Sequence, residues 1–188
     1  MGRVEDGDDL VARARDDADA LGRLYERHYD RVFAYCVRRL FVKAVAEDVT
    51  STVFLHVARH ICDFAGSREQ DFRNWLYTIA TNEVNAYVRT TKRRAQLFEA
   101  AGRLRVASQP DSPTALDRPD WPLLYQAIVR LRPKHQTVIV LRFFEGLAND
   151  EIAGILGCRP ATVRVTLKRA LDALRRQLLP LAAEASGG

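Results

Sequence analysis

Residues 151–170 read EIAGILGCRPATVRVTLKRA, and this stretch decides the fold of the second half of the chain. A short helical pattern stops at Gly157, and Pro160 opens a second helical pattern at a position where the first turn of a helix tolerates proline. A short helix, a glycine turn and a longer helix are typical of the helix-turn-helix arrangement. In that arrangement the second helix can enter the major groove of DNA while the first braces it.

The helix that Pro160 opens has two faces of different chemistry. On a wheel of about 100° per residue, an apolar stripe contains Val163, Leu167, Ala170, Leu171, Leu174 and Leu178. The opposite side contains Arg164, Val165, Lys168, Arg169, Asp172, Arg175 and Arg176. One acid among many bases favours a DNA partner over plain solvation. Val165 lies among these charges, where a thymine methyl group would be a natural contact.

The rest of the chain carries helical periodicity in two groups. Apolar spacing predicts helices over about 21–40, 46–61 and 72–94, and then over about 123–131, 134–144 and 149–156, with Asn149 as an N-cap. Between the groups, ASQPDSPTALDRPDWP at 107–122 indicates a semi-rigid or disordered linker. We therefore expect an all-α fold: an acidic segment 1–17, a helical domain 18–96, a linker 97–121, a second helical domain 122–180 and a tail 181–188.

Composition narrows the classes of function. The net charge of +5 favours a polyanionic partner. No stretch has the apolar length of a membrane span, and the N-terminus lacks the order of a signal peptide, so we expect a cytoplasmic location. Three scattered cysteines form no CxxC pair, which argues against a zinc ribbon or a disulfide framework. There is no glycine-rich phosphate loop and no nucleophile elbow, so we expect neither an enzyme nor a cofactor.

Four segments carry a resemblance to a known family. LYERHYDRVFAYCVRRL (24–40), AEDVTSTVFLHVARHI (46–61) and FRNWLYTIATNEVNAYVR (72–89) resemble the sigma-2 domain of bacterial extracytoplasmic-function (ECF) sigma factors. LRPKHQTVIVLRFFEGLANDEIAGILGCRPATVRVTLKRALDAL (131–174) resembles their sigma-4 domain. The resemblance implies a sigma-2 unit that binds the β′ clamp of RNA polymerase and opens the −10 element of a promoter. It also implies a sigma-4 unit that binds the β flap and reads the −35 element.

The resemblance and the chemistry of the exposed faces together give three sets of candidate site residues. For the −35 duplex they are Arg159, Thr162, Arg164, Val165, Lys168 and Arg169. For the single-stranded −10 element they are Phe64, Ser67, Asn82, Asn85, Arg89 and Lys92, because amides can read base edges and cations can follow phosphates. The −10 set includes the loop DFAGSREQDF (63–72), which resembles the loop where this family captures a flipped base. For the polymerase contact they are Asp48, Ser51, Thr52, Leu55 and Arg59.

Several positions depart from the family pattern or invite a structural interpretation. Ser51, Thr52, Thr81, Arg159 and the pair Val165–Thr166 stand where the family usually has other residues, so we expect an altered polymerase surface and a different −35 preference. Glu83 requires a buried partner or an adjusted rotation of its helix. We interpret His28 as a satisfied core histidine and Trp75 as a core residue.

Two other functions remain open at this point. His56 and His60 are four residues apart with Cys62 nearby, as two metal ligands on one helix face would be. The chain could also be a stand-alone helix-turn-helix regulator, although such a protein normally couples its DNA reader to a ligand pocket or a dimerisation helix. The tail LAAEASGG is too small to sense a signal, so the resemblance implies regulation by another protein, an anti-sigma factor.

Overall fold

The chain folds into two compact helical units, residues 1–105 and 106–188. The structure is a computed structural model, and it describes residues 6–100 and 121–186. Every regular element in these ranges is a helix, so the all-α prediction is confirmed. Most of the proline-rich stretch 107–122 lies outside the described residues.

Over residues 6–100 the first unit contains the helices α1 (Gly7–Arg13), α2 (Ala18–Leu40), α3 (Lys43–His60) and α4 (Glu69–Ala100), with a 3₁₀ turn at Ile61–Asp63. In α3, Val49, Val53 and Val57 recur every four residues and so lie on one side of the helix, and all three are at most 8% exposed. Helix α4 begins earlier and ends later than the predicted range 72–94. Its early start has a tertiary cause, because the Asp8 carboxylate accepts a hydrogen bond from the Glu69 N–H at 2.6 Å.

The acidic composition of residues 1–17 gave no indication of helix α1. Asp6 caps this helix by accepting a hydrogen bond from the Asp8 N–H. Leu10, Val11 and Ala14 are all at most 2% exposed, and α1 packs on both α2 and α4. Helix α1 is therefore part of the core of the first unit. Its apolar side chains are buried, and its charged side chains lie on the surface.

Buried polar side chains link α2 to α4. The Tyr35 hydroxyl and the Thr81 hydroxyl are 2.8 Å apart, and both side chains are almost fully buried. The buried Arg39 donates from Nη2 to Asn85 Oδ1 at 3.3 Å. Buried polar groups cost free energy unless they are paired. Thr81, a departure from the family pattern, is thus used here as the partner of Tyr35.

His28 is buried, but the expectation that its ring is satisfied is wrong. Among the residues that the structure describes, its Nε2 has no hydrogen-bond partner, and Glu69 Oε1 lies 3.6 Å away. Burial lowers the pKa of His28 to about 4, since the loss of water and the nearby Arg27, Arg31 and Arg73 outweigh the attraction of Glu69. The sequence could place the histidine on the core stripe but could not show whether a partner reaches it.

The second unit contains α5 (Trp121–Val129), α6 (Pro133–Ile139), α7 (Asn149–Ile155) and α8 (Pro160–Ser186), with a π-helical turn at Val140–Phe144 that continues α6. The Gln136 amide nitrogen lies 3.0–3.1 Å from the carbonyl oxygens of Ile128, Val129 and Leu131. It therefore caps α5 and ties α5 to α6. Gly146 follows the π-helical turn with a φ of +70°, the left-handed conformation in which helices commonly end at glycine.

Two details of the second unit correct the sequence analysis. The N-cap of α7 is Ala148, and its N–H donates to the Glu151 carboxylate at 2.6 Å, so Asn149 is the first helical residue instead of the cap. In α8, Leu171 is 41% exposed and Thr166 is buried. Leu171 lies eight residues after Val163, about 80° around the helix, which places it at the edge of the stripe.

Replacing His28 by Gln should flatten the pH dependence of stability below neutrality. His28 has a lowered folded pKa, so its neutral form stabilises the fold above about pH 6.5. That contribution is lost as the pH falls toward the folded value of about 4, by about 3 kcal/mol at most. Urea unfolding followed by circular dichroism at several pH values would measure it. Wild type and His28→Gln share the other titrating groups, so identical pH profiles would contradict the assignment.

Candidate functional site

The outward face of α3 presents one apolar side chain among polar ones. Asp48, Ser51, Thr52, Leu55 and Arg59 are all exposed, as predicted, and Leu55 is 50% exposed. The hydroxyls of Ser51 and Thr52 donate to the carbonyls of Glu47 and Asp48 at 3.0 and 2.9 Å. Two of the four polar side chains are thus hydrogen-bonded to their own helix. Leu55, flanked by Asp48 and Arg59, is left as the chief contact surface of this face.

The loop between the 3₁₀ turn and α4 is anchored by the Phe64 side chain. Phe64 is 9% exposed, stacks on Trp75 with ring centroids 4.9 Å apart, and meets Phe72 edge-on at 6.0 Å. The structure therefore places Phe64 in the core, away from any free base-contacting position, and Trp75 packs with it as expected. Ser67, by contrast, is exposed.

The path of this loop requires glycine at position 66. A Cβ on Gly66 would overlap the Phe64 ring and lie 2.8 Å from the Asp71 Cβ. The next turn is fixed by Arg68, whose Nε and Nη2 donate to the two Asp71 carboxylate oxygens at 3.1 Å each. The Arg68 guanidinium lowers the pKa of Asp71. The loop thus enters α4 through a tight glycine and an ion pair.

One face of α4 displays amides followed by cations. Asn82, Arg89 and Lys92 are exposed, and Asn85 is half-buried. Their spacing of three, four and three residues keeps them on one side of the helix. Arg39 donates to Asn85, as described above, and so fixes the orientation of that amide. The surface offers base-edge donors and acceptors first and phosphate-binding charges one turn later.

Glu83 and the histidines of α3 form a separate contact between α3 and α4. Glu83 is half-buried and lies 3.4 Å from Nδ1 of the exposed His56, so it does not need the buried partner that the sequence analysis expected. The rings of His56 and His60 are 4.7 Å apart, and His60 Nδ1 lies 3.5 Å from Asp63. Within the described ranges, no group of three or more His, Cys, Asp or Glu side chains is arranged to hold a metal ion. Nor is any helix of those ranges long and apolar enough to cross a membrane.

The predicted recognition helix has the expected exposed face. Gly157 adopts a φ of +59°, and the Cys158 N–H bonds the Ala153 carbonyl at 2.9 Å, which closes the turn between α7 and α8. Val163 and Ala170 pack inward, and Val165 is 50% exposed. All six residues predicted for the duplex are exposed: Arg159, Thr162, Arg164, Val165, Lys168 and Arg169.

Additional cations, which the sequence analysis did not include, accompany this face. The pKa of His135 is lowered, first by burial and then by the charges of Arg132, Lys134 and Arg169. The start of α6 therefore shares the electrostatic field of the recognition helix. In the sequence these cations appear as the basic run RPKH at 132–135. Because this run lies more than thirty residues before Arg169, the sequence did not show that the two are close in the fold.

Comparisons with known proteins agree with this geometry. The family described as Sigma-70 region 2 matches residues 24–94, and that described as Sigma-70, region 4 matches residues 122–174. The chain is 36% identical over 175 residues to the ECF RNA polymerase sigma factor BldN of Streptomyces coelicolor, covering 92% of this chain and 65% of that protein. It is 32% identical over 176 residues to the ECF RNA polymerase sigma factor SigW of Bacillus subtilis, covering 88% of this chain and 92% of that protein.

A solved structure has the same fold. The sigma factor RpoE, in a co-crystal structure with the anti-sigma factor NepR from Bartonella quintana, superposes with a TM-score of 0.69. It shares 22% sequence identity, and the match covers 84% of this chain and 95% of that one. A likeness at this identity establishes the fold.

Replacing Gly66 by Ala should displace the loop and cost about 1–3 kcal/mol, the usual range for overpacking. The added methyl group would meet a buried ring and a Cβ close to the backbone, neither of which can move freely. Chemical denaturation gives the stability, and the fluorescence of Trp75 should change because its stacking on Phe64 is disturbed.

Gly22→Ala is the matched control, since Gly22 lies within α2 with nothing near its Cβ position. There alanine should stabilise the helix by up to about 1 kcal/mol. Equal effects of the two substitutions would show that position 66 is not tightly packed.

Proposed function

The chain belongs to the extracytoplasmic-function sigma factors of the sigma-70 family, and from that membership we propose that it binds core RNA polymerase and directs it to promoters. One observation carries the proposal. The two units display different surfaces: an amide-and-cation face on α4 beside a fixed loop, and an exposed cationic face on α8. The first suits single-stranded DNA and the second suits duplex DNA.

The polymerase contact of the first unit would be the outward face of α3. Leu55 is a half-exposed apolar side chain with charged neighbours, and such a residue contributes most when a partner removes it from water. The β′ clamp is the partner that the family provides for this helix, and the β flap is its partner for the second unit. Ser51 and Thr52, turned onto their own helix, would contribute little.

The −10 element would be bound as a single strand by the first unit. Asn82 and Asn85 can hydrogen-bond base edges, while Arg89 and Lys92 follow the phosphates. The loop around Gly66 would hold a base flipped out of the stack, with Ser67 as its exposed polar side chain. Phe64, packed on Trp75, would anchor this loop from inside and make no contact with DNA.

The −35 element would be read as duplex by α8. Arg164, Lys168 and Arg169 can contact phosphates or guanine edges, and Arg159 and Thr162 lie where the helix enters the groove. Val165 can contact only an apolar group such as the thymine methyl. Arg132 and Lys134 at the start of α6 would add phosphate contacts beside the recognition helix.

The stand-alone regulator is the weaker alternative. Such a protein has no use for the amide face of α4, and the relatives named above are RNA polymerase sigma factors. Activity on chromosomal promoters places the chain in the cytoplasm. An anti-sigma factor is the partner that would restrain it, as NepR binds RpoE in the structure with the same fold.

The substitution Leu55→Asp tests polymerase dependence. A charge at the centre of the α3 surface should abolish association with core polymerase and also transcription from genomic DNA fragments in vitro, since the buried carboxylate would have no partner. Leu179→Asp is the matched control, because Leu179 is a 62% exposed leucine of the second unit. Full transcription by Leu55→Asp, or no new start sites with the wild-type chain, would refute the assignment.

A second substitution, Val165→Ser, tests the reading of the −35 element. It should relax the preference at one A·T position by up to about 1–3 kcal/mol and leave the salt dependence of binding unchanged. Lys168→Ala should do the opposite if Lys168 holds a phosphate: affinity falls for all sequences alike and the salt slope drops by about one.

Fluorescence anisotropy of the chain on a set of −35 variants at several salt concentrations measures both effects. Unchanged specificity of Val165→Ser at every position would remove the thymine contact. Unchanged affinity of both variants would show that α8 is not the DNA reader.

A further inference from the structure

The segment before α2 contacts the loop around Gly66 at both of its ends. The Arg15 guanidinium donates from Nη2 to the Gly66 carbonyl at 2.7 Å, and the Cys62 thiol lies 3.5 Å from the Arg15 carbonyl. At the other end of the loop, Asp8 accepts the N–H of Glu69, the first residue of α4. Each contact joins residues at least 47 positions apart in sequence.

The residues of the first segment that make these contacts are held in place by the packing of helix α1. Helix α1 and its C-cap Ala14 are held by three buried apolar side chains, so Asp8 in the first turn and Arg15 directly after the cap have fixed positions. The Arg15 side chain is partly buried, and its Nε is shielded from solvent. A guanidinium bond to a carbonyl is charge-assisted and stronger than a neutral one.

The bond acts on the peptide unit that matters for base capture. The Gly66 carbonyl belongs to the same planar peptide as the Ser67 N–H, so holding one fixes the orientation of the other. The Phe64 ring fixes the loop on the inner side, and Arg15 fixes it from the side of α1. A pocket discriminates between bases only when its hydrogen-bonding groups are held in place.

We propose that Arg15 is a positioning residue for recognition of the −10 element, and that α1 is a brace that holds the base-capture loop in its binding geometry; this inference rests on the proposed function. Arg15 makes no contact with the base. It sets the loop peptide that does, and Asp8 does the same for the start of α4. The chemical group recognised is a single unstacked base of the −10 strand.

The test is base discrimination by the complete chain bound to core polymerase. The probes are single-stranded oligonucleotides that carry the −10 element of a promoter found by transcription in vitro, with each base replaced in turn. Arg15→Met keeps the aliphatic stem and removes the donors. It should lower discrimination at one −10 position about fivefold, the factor expected for one net hydrogen bond. Binding to the −35 duplex should stay unchanged.

Two further variants serve as controls for Arg15→Met. Arg13→Met is the matched control, since Arg13 pairs only with Asp9 and Asp17 on the surface among its described contacts, and discrimination should be unchanged. Arg15→Lys keeps a charged donor and should recover most of the discrimination. A purely structural role would instead lower the thermal stability and leave the ratio between bases intact.

The possible outcomes distinguish a failure of the α1 brace from a failure of the proposed function. Full discrimination by folded Arg15→Met overturns the brace and leaves the proposed function standing. If Arg15→Met does not fold, Asp8→Ala at its exposed position decides: a loss of discrimination supports the brace, and unchanged discrimination overturns it. A wild-type complex that distinguishes no base at any −10 position overturns the proposed function and the brace together.

Discussion

The N-terminus of α4 is the point on which the first unit depends. Asp8 accepts the Glu69 N–H at 2.6 Å, and the Glu69 carboxylate lies 3.2 Å from Arg27 and 3.6 Å from His28. Gly7 leaves the space that this carboxylate occupies, since a Cβ there would overlap it. Because a helix rotates about 100° per residue, fixing its first residue fixes which side chains face outward thirteen to twenty-three positions later. The amides and cations of α4 that we propose as the single-strand contact owe their direction to this junction.

In the proposed function, the two units would recognise two different forms of DNA with different side-chain chemistry. Duplex DNA presents an ordered groove, and for this partner α8 would supply its exposed cations and the exposed Val165, braced by a short helix and a glycine turn. A single strand presents separated bases, and for this partner the first unit would supply amides such as Asn85, whose orientation is fixed by Arg39. Binding energy from phosphates is common to both, so specificity has to come from these few positioned groups.

Most of the helices and their buried faces could be predicted from the sequence, because hydrophobic periodicity indicates which face of a helix is buried. Residue spacing predicted the buried side of α3 and the exposure of Val165 on α8, and both are confirmed. The family was identified from the resemblance of four segments, and it is confirmed as well. What periodicity cannot report is contact between distant segments. The acidic composition of the first residues gave no sign of helix α1. The burial of Phe64 depends on its packing against Trp75 and Phe72. Whether His28 has a hydrogen bond depends on the distance to the Glu69 carboxylate, which is 3.6 Å. Leu171 was misplaced because a side chain at the edge of a stripe needs a neighbour to cover it.

The central claim is that the first unit opens the DNA that the second unit selects. Permanganate oxidises thymines that are unstacked, so it reports opening directly. On a promoter bound by the chain and core polymerase, the account predicts reactive thymines within the −10 element, and none with either component alone. Protection of the −35 element together with unreactive thymines under the same conditions would contradict it, because the chain would then bind duplex DNA without opening it.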